Sequence, residues 1–119
     1  MHDSFTTEQK KKIITFINLA LTFNKTHNIF SRKNHNEVYE KDILDCFPLI
    51  GFLKKNDSVL DLGTGGGFPG VLLSIAKPSS QINLLEKNKK KCYFLKIVID
   101  ELKLKNTKIV NKTIILLDA

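Results

Sequence analysis

Two carboxylates and a run of glycines provide the clearest chemical signal in the chain. Residues 59–70, VLDLGTGGGFPG, hold five of the six glycines. Glycine allows a sharp turn and lets the backbone approach a ligand closely. The pattern Asp61-x-Gly63-x-Gly65-x-Gly67 follows a short apolar run and precedes a helical pattern. It therefore predicts a ligand-binding turn between a strand and a helix.

The glycine spacing argues against two common nucleotide sites. A Walker loop has the form GxxxxGK[ST], and no Lys-Ser or Lys-Thr follows these glycines. A dinucleotide fingerprint, GxGxxG, needs glycine at position 68, where Phe68 stands, so nicotinamide binding is a weaker alternative. Asp61 is a poor neighbour for a pyrophosphate because both are negative. It suits a ligand with cationic or donor groups, such as the amino-acid end of S-adenosylmethionine.

Glu86 is the second candidate binding residue, 19 positions after Gly67. In doubly wound folds an acidic side chain at the end of the second strand accepts hydrogen bonds from the two ribose hydroxyls. The alternative is a solvated carboxylate that favours the dipole of a lysine-rich helix start. For Asp61 the alternative is a carboxylate that caps the loop, which is compatible with ligand binding.

The elements that would position these residues alternate between strand and helix. We expect a buried strand at 58–62, a second strand at 81–86 and a third that begins at 108–111. Pro69 stands where a first helix begins, and Asn88 opens a longer one. Strands and helices in alternation, with short connections, predict a parallel sheet.

A helical arm precedes this α/β region. Residues 6–9, TTEQ, have the form of a capping box, and apolar residues then recur at helical spacing to about Asn24. A second helix is expected to start near Asn36 and to be disturbed at its end by Pro48. Its predicted inward-facing residues are Val38, Ile43, Leu44 and Phe47.

Length and composition indicate one folded unit of 119 residues. We divide it into a helical arm, residues 1–56, and an α/β domain, residues 57–119. No apolar run approaches the roughly 20 residues that span a bilayer, and the polar N-terminus lacks a signal-peptide pattern. Cys46 and Cys92 lack CxxC spacing, which argues against a disulfide framework or zinc site. We therefore expect a cytoplasmic protein without membrane or metal.

The net charge of +7 has two interpretations. Nearly all of the positive charge is lysine, and lysine, isoleucine and asparagine are all abundant, as an AT-rich genome would produce. The part of the positive charge that this genome bias does not explain is compatible with contacts to nucleic-acid phosphates, which require positive charge but not arginine.

Three stretches resemble one protein family. Residues 60–96, LDLGTGGGFPGVLLSIAKPSSQINLLEKNKKKCYFLK, resemble the RsmG (GidB) family of bacterial small-subunit ribosomal RNA methyltransferases. Residues 23–29, FNKTHNI, are similar to its W-N-x-x-x-N-L/I stretch, and residues 42–46, DILDC, to its H-I-L-D-S. The resemblance extends from about Phe23 to Asn111.

The resemblance implies a fold, a cofactor and a substrate. The fold is a Rossmann-like S-adenosylmethionine-dependent methyltransferase sheet, of which this chain has the first three parallel strands after a helical arm. The activity is methyl transfer from S-adenosyl-L-methionine to N7 of a guanine, and the partner is 16S ribosomal RNA or the small ribosomal subunit. The implied cofactor residues are Gly63 and Phe68, Glu86 as ribose ligand, and Asp61, Gly65 and Gly67 of the same motif. No catalytic residue is implied.

The chain departs from the family pattern at several positions. Asp42 replaces the histidine of H-I-L-D-S, and lysines replace arginines after Glu86. Past Asn111 the match fails, and Ile114-Ile115 stands where the family has an apolar–acidic pair. From this apparent truncation we expect residues 58–62 to form an uncovered sheet edge, and cofactor binding and RNA methylation to be weak or lost.

Two other functions stay open. One is a vestigial, non-catalytic RNA- or cofactor-binding protein, with Lys89, Lys90 and Lys91 as a phosphate patch. Charge runs of this kind are more often a solvated helix face. The other is a small-molecule methyltransferase, against which the F-P-G of the loop and the helical arm argue.

Overall fold

The computed structural model describes residues 5–28, 32–62 and 67–111. Helix α1 spans Thr7–His27. The predicted capping box is confirmed, because the Thr6 hydroxyl accepts from the Gln9 amide at 3.1 Å and the Gln9 side-chain oxygen accepts from the Thr6 amide at 2.9 Å. The helix continues three residues beyond the predicted end and stops at Asn28, which has left-handed backbone angles.

The second helical region changes its winding along its length. Helix α2, His35–Val38, is capped by the side chain of Asn34. A π-helical turn, Tyr39–Ile43, and a 3₁₀ turn, Leu44–Cys46, then lead into helix α3, Phe47–Phe52. Pro48 lies in the first turn of α3, where its missing N–H costs no helical bond.

One predicted core residue of this region is wrong. Val38 and Ile43 are buried and Phe47 packs against the core, but Leu44 is exposed. The prediction assumed 3.6 residues per turn throughout. The π and 3₁₀ turns change that period, so the apolar stripe does not extend to Leu44.

The sheet has three parallel strands in the order β1-β2-β3. Strand β1 spans Ser58–Leu62, β2 spans Gln81–Leu85, and β3 spans Thr107–Val110. Helix α4, Gly70–Ala76, connects β1 to β2, and helix α5, Lys89–Leu102, connects β2 to β3. This is the predicted α/β architecture, a helical arm before the first strands of a Rossmann-like sheet. Pro69 lies one position before α4 rather than at its first residue.

The arm and the sheet share one hydrophobic core. Helix α1 packs against α4 and α5, and its Phe16 lies in the same buried cluster as Phe94 of α5 and Leu84 of β2. At the C-terminal end of α4, the side-chain amide of Gln9 donates to the carbonyl oxygens of Ile75 at 3.4 Å and Ala76 at 3.3 Å. The division after residue 56 stays a prediction, and the two parts pack as one body in this core.

Strand β1 is the edge strand of the described sheet and is covered on one face. Val59 packs against the core, whereas Leu60 is 51% exposed and Leu62 is 59% exposed. The expectation of a fully buried strand is therefore wrong for these residues. Burial of the second face requires another layer, and residues 5–28, 32–62 and 67–111 leave Leu60 and Leu62 exposed.

Two special features are absent from the described ranges. None of the described helices has both the length and the apolar character needed to span a bilayer. Among the same residues, no three His, Cys, Asp or Glu side chains group as a metal ion would require.

Candidate functional site

The predicted carboxylates, Asp61 and Glu86, lie at the carboxyl edge of the sheet. Asp61 pairs in register with Leu84, so the ends of β1 and β2 lie side by side. Glu86 follows β2 directly, and its backbone amide donates to the carbonyl oxygen of Val110 at 3.0 Å. Ligands of open parallel sheets bind outside this edge. Gly63 and Gly65, which were predicted between these carboxylates, lie outside the described residues.

Gly67 has a packing role that only glycine can fill. Its φ is +101°, a region that side-chain-bearing residues rarely adopt. A Cβ atom built at this position would lie 2.8 Å from Cγ2 of Val71, 3.2 Å from Cζ of Phe16 and 3.3 Å from Cδ2 of Leu95. Gly67 therefore packs directly on α1, α4 and α5.

Phe68 continues this support. Its half-buried ring packs on the ring of Phe16 in α1, with the centroids 5.0 Å apart, and Phe16 packs in turn on Phe94 of α5 at 6.4 Å. The peptide bond between Phe68 and Pro69 is cis. The helical arm thus supplies the aromatic surface on which the end of the glycine loop lies.

Asp61 holds the loop to the start of α4. Its Oδ2 accepts from the backbone amide of Gly70 at 3.0 Å. A Cβ on Gly70 would lie 2.6 Å from that oxygen and in collision with the side chain of Leu84, so α4 can approach the sheet this closely only with glycine here. The interpretation of Asp61 as a loop-capping carboxylate is confirmed.

Glu86 is buried, which contradicts the alternative of a solvated carboxylate. The residue is 6% exposed, and its Oε2 accepts from the backbone amide of Asn88 at 2.9 Å. Asn88 caps α5 by accepting from the Lys91 amide at 3.0 Å. A buried carboxylate needs hydrogen-bond donors, and the connection between β2 and α5 supplies one from its own backbone.

Sequence reasoning missed two residues that hold this connection. The Asn111 side-chain amide donates to the carbonyl oxygens of Glu86 at 2.9 Å and Lys87 at 3.3 Å. The Cys92 thiol, half-buried and free, donates to the same Glu86 carbonyl at 3.1 Å. An asparagine at the last position of the predicted third-strand segment, 108–111, was the available signal, because its amide can bridge to a neighbouring connection.

The lysines at the start of α5 are mostly exposed. Lys89 and Lys90 are exposed and Lys91 is half-buried, and the Lys90 ammonium donates to the carbonyl oxygen of His27 at 3.5 Å. Cations are unfavourable at a helix N-terminus, so these lysines do not stabilise α5 through its dipole. They form a positively charged rim beside Glu86.

A second polar cluster orders the arm. Both nitrogens of an Arg32 fork donate to Asp42, with Nε at 2.8 Å and Nη2 at 3.0 Å, and this hydrogen-bonded carboxylate raises the pKa of Arg32 above its ordinary value. The Asn24 side-chain amide donates to the Arg32 carbonyl at 3.5 Å. Asp42, which departs from the family's histidine, therefore ties together the two arm stretches that carry the resemblance.

Two grooves of about 330 and 350 Å³ lie at the opposite edge of the sheet. Both are lined by Lys12 and Lys103, and Glu101 lines one of them. They open near the amino ends of the strands, away from the edge where parallel sheets bind ligands. Their lining does not include Asp61 or Glu86.

Comparisons with known proteins identify the family. The family model described as rRNA small subunit methyltransferase G matches residues 9–115. Three proteins named ribosomal RNA small subunit methyltransferase G are similar to the chain. The Wolinella succinogenes protein is 40% identical over 95% of this chain and 58% of its own length. The Psychrobacter protein is 35% identical over 83% of this chain and 44% of its own length. The Mycoplasma mycoides protein is 35% identical over 93% of this chain and 83% of its own length.

The chain spans about half the length of the first two of these relatives. The match of the family model covers both the helical arm and the strands that carry Asp61 and Glu86. The resemblance drawn from the glycine loop and the arm is confirmed: the chain belongs to the rRNA small subunit methyltransferase G family.

Proposed function

We propose that this chain binds S-adenosyl-L-methionine at the carboxyl edge of its sheet and directs methyl transfer to N7 of a guanine in 16S ribosomal RNA. The observation that carries the proposal is the buried carboxylate of Glu86, held at the end of β2 next to the end of β1 that carries Asp61. Membership of the family supports the reaction class.

The donor set at this edge fits the proposed cofactor. Glu86 provides a carboxylate that can accept from ribose hydroxyls, as acidic residues at this position of doubly wound folds do. The backbone of Gly63, Gly65 and Gly67, together with Phe68, would form the floor for the amino-acid end. Asp61, already bonded to Gly70, would add negative charge near the ammonium and sulfonium groups. A pyrophosphate would be repelled by the same two carboxylates.

The chemistry requires little from the protein beyond positioning. S-adenosylmethionine, when bound, supplies an activated methyl group. Guanine N7 has a lone pair and carries no proton, so no general base is needed. The chain's task is to align N7 with the methyl carbon and to exclude water. No residue is assigned a catalytic role.

The proposed partner is 16S ribosomal RNA or the small ribosomal subunit, in the cytoplasm where ribosomes are assembled. The net charge of +7 and the exposed Lys89 and Lys90 favour contact with phosphates next to the cofactor edge. The family name supports an RNA substrate.

A second candidate is a cofactor- or RNA-binding protein without turnover. The exposed Lys89 and Lys90 favour it, because they can contact phosphates whether or not methyl transfer follows. This candidate shares the cofactor site with the first and differs from it in the methyl-transfer step.

Methyl transfer to small subunits that lack the modification tests the proposal. The chain would be incubated with radiolabelled S-adenosylmethionine, and the labelled nucleoside identified as 7-methylguanosine after digestion. Glu86→Gln should lower incorporation at least tenfold, whereas Glu101→Gln, an exposed residue at the far end of α5, should leave it unchanged. Saturable cofactor binding without incorporation would favour the second candidate over the enzyme. A chain that binds neither S-adenosylmethionine nor the small subunit, and incorporates no label, would refute both.

A further inference from the structure

Two asparagines bracket β3 and hold connections at opposite edges of the sheet. Asn106 precedes the strand, and its side-chain amide lies 3.1 Å from each of the carbonyl oxygens of Ser74, Lys77 and Ser80. Asn111 follows the strand. The two side chains perform the same hydrogen-bonding task, but only Asn111 performs it at the edge that carries Glu86.

At the carboxyl edge, Asn111 meets a connection only three residues long. Its amide nitrogen lies 2.9 Å from the carbonyl oxygen of Glu86, 3.3 Å from that of Lys87 and 3.2 Å from the sulfur of Cys92. The Cys92 thiol donates to the same Glu86 carbonyl. The main chain at Glu86 is therefore fixed from β3 by one side chain and from α5 by another.

These contacts constrain the main chain that carries the Glu86 carboxylate. A change in the main-chain torsion angles of Glu86 and Lys87 would displace the Asn88 amide from the Glu86 carboxylate, whose Oε2 it is bonded to. Buried main-chain carbonyls require partners, and Asn111 supplies a donor to the carbonyl oxygen of the buried Glu86 and to that of the exposed Lys87. Binding groups must be held within about 0.5 Å of the productive geometry, a precision that supporting hydrogen bonds provide.

We infer that Asn111, assisted by Cys92, is a positioning residue that aims the Glu86 carboxylate at the ribose hydroxyls of the cofactor. The inference rests on the proposed function, since it assigns Glu86 a ribose to bind. The inference goes beyond the proposed function. It makes the affinity for the cofactor, and the preference for a ribose over a 2′-deoxyribose, depend on a side chain that does not touch the cofactor.

The test compares one chemical change at the two ends of β3. Asn111→Asp keeps the shape of the side chain but replaces its donor by an ionised carboxylate that faces two carbonyl oxygens. Asn106→Asp makes the same change at the far edge. Binding of S-adenosylhomocysteine and of its 2′-deoxy analogue to the full chain would be measured by calorimetry, with circular dichroism to confirm folding.

We expect the wild-type chain to prefer S-adenosylhomocysteine over the 2′-deoxy analogue by about tenfold. In Asn111→Asp this preference should fall to less than about threefold. In Asn106→Asp it should be retained even if the melting temperature drops, because a loss of folded fraction weakens both ligands equally. Cys92→Ala should lower the preference and Cys92→Ser, which keeps a donor, should retain it; this pair decides the matter if Asn111→Asp does not fold.

Two results would contradict the inference in distinguishable ways. If the wild-type chain binds and discriminates, and both Asn111→Asp and Cys92→Ala discriminate as well as it does, Asn111 has no positioning role and the proposed function stands. If the wild-type chain shows no saturable binding of S-adenosylhomocysteine, the proposed function fails and the inference fails with it.

Discussion

Gly67 offers the sharpest test of how the glycine loop is built. The sequence motif assigns this residue to cofactor binding, whereas its surroundings also give it a structural duty. Its φ of +101° and the short distances from its would-be Cβ to Val71, Phe16 and Leu95 mean that alanine meets two independent penalties. We predict that Gly67→Ala destabilises the whole fold, including the helical arm.

The magnitude follows from these two penalties. A positive φ costs a non-glycine residue about 1–2 kcal/mol. An extra methyl group 2.8 Å from the buried Val71 Cγ2 forces repacking that costs about 1–3 kcal/mol. The free energy of unfolding should fall by about 2–5 kcal/mol, and the melting temperature by about 10 °C or more.

Urea unfolding followed by circular dichroism measures this change, and Gly51 provides a matched control. A Cβ on Gly51, in α3, would meet nothing within 4 Å, so Gly51→Ala should stabilise by about 0.5–1 kcal/mol. Val71→Ala removes the clashing methyl, so the Gly67→Ala/Val71→Ala double variant should lose at least about 0.5 kcal/mol less than the sum of its parts. A Gly67→Ala variant within about 0.5 kcal/mol of wild type would refute the reasoning.

Three further predictions concern the arm and its core. Asp42→Ala removes both acceptors of the Arg32 guanidinium and should lower the free energy of unfolding, measured in urea, by about 1 kcal/mol. The loss should be smaller in 1 M salt, and no loss at low salt would contradict a stabilising role for this ion pair. Burial, with nearby carboxylates, raises the pKa of Cys46 from 9.0 to about 11, so the free energy of unfolding should fall as the pH rises from about 9 to about 11. The measurement is the urea midpoint in a Cys92→Ser background, and a midpoint that does not fall over this range would contradict the prediction. Gln9→Glu keeps an acceptor for Thr6 but cannot donate to the carbonyls of α4, and should lower the melting temperature by a few degrees.

Features set by neighbours in sequence were predictable. The capping box at Thr6 and Gln9, the side-chain cap at Asn88 and the alternation of strands and helices all depend on residues within a few positions of each other. The edge location of Asp61 and Glu86 followed as well, because parallel strands bring their carboxyl ends together.

Features that depend on contacts between distant residues could not be predicted from the sequence. Leu44 was predicted inside because the π and 3₁₀ turns before α3 have no simple sequence signal. One interpretation of the sequence left Glu86 solvated. The Asn88 amide that donates to its carboxylate is placed by the geometry of one turn, which the sequence does not show. The Asn111 bridge spans 25 residues and the Gln9 bridge spans 66, and one sequence does not show pairings at such separations.

Calorimetric titration of the chain with S-adenosylhomocysteine is the direct test of the proposed cofactor site. We expect saturable binding of one molecule per chain, an affinity at least tenfold weaker in Glu86→Gln, and an unchanged affinity in Glu101→Gln. Binding that is absent in the wild-type chain, or that is the same in Glu86→Gln as in wild type, would contradict the assignment of the carboxyl edge of β1 and β2 as the cofactor site.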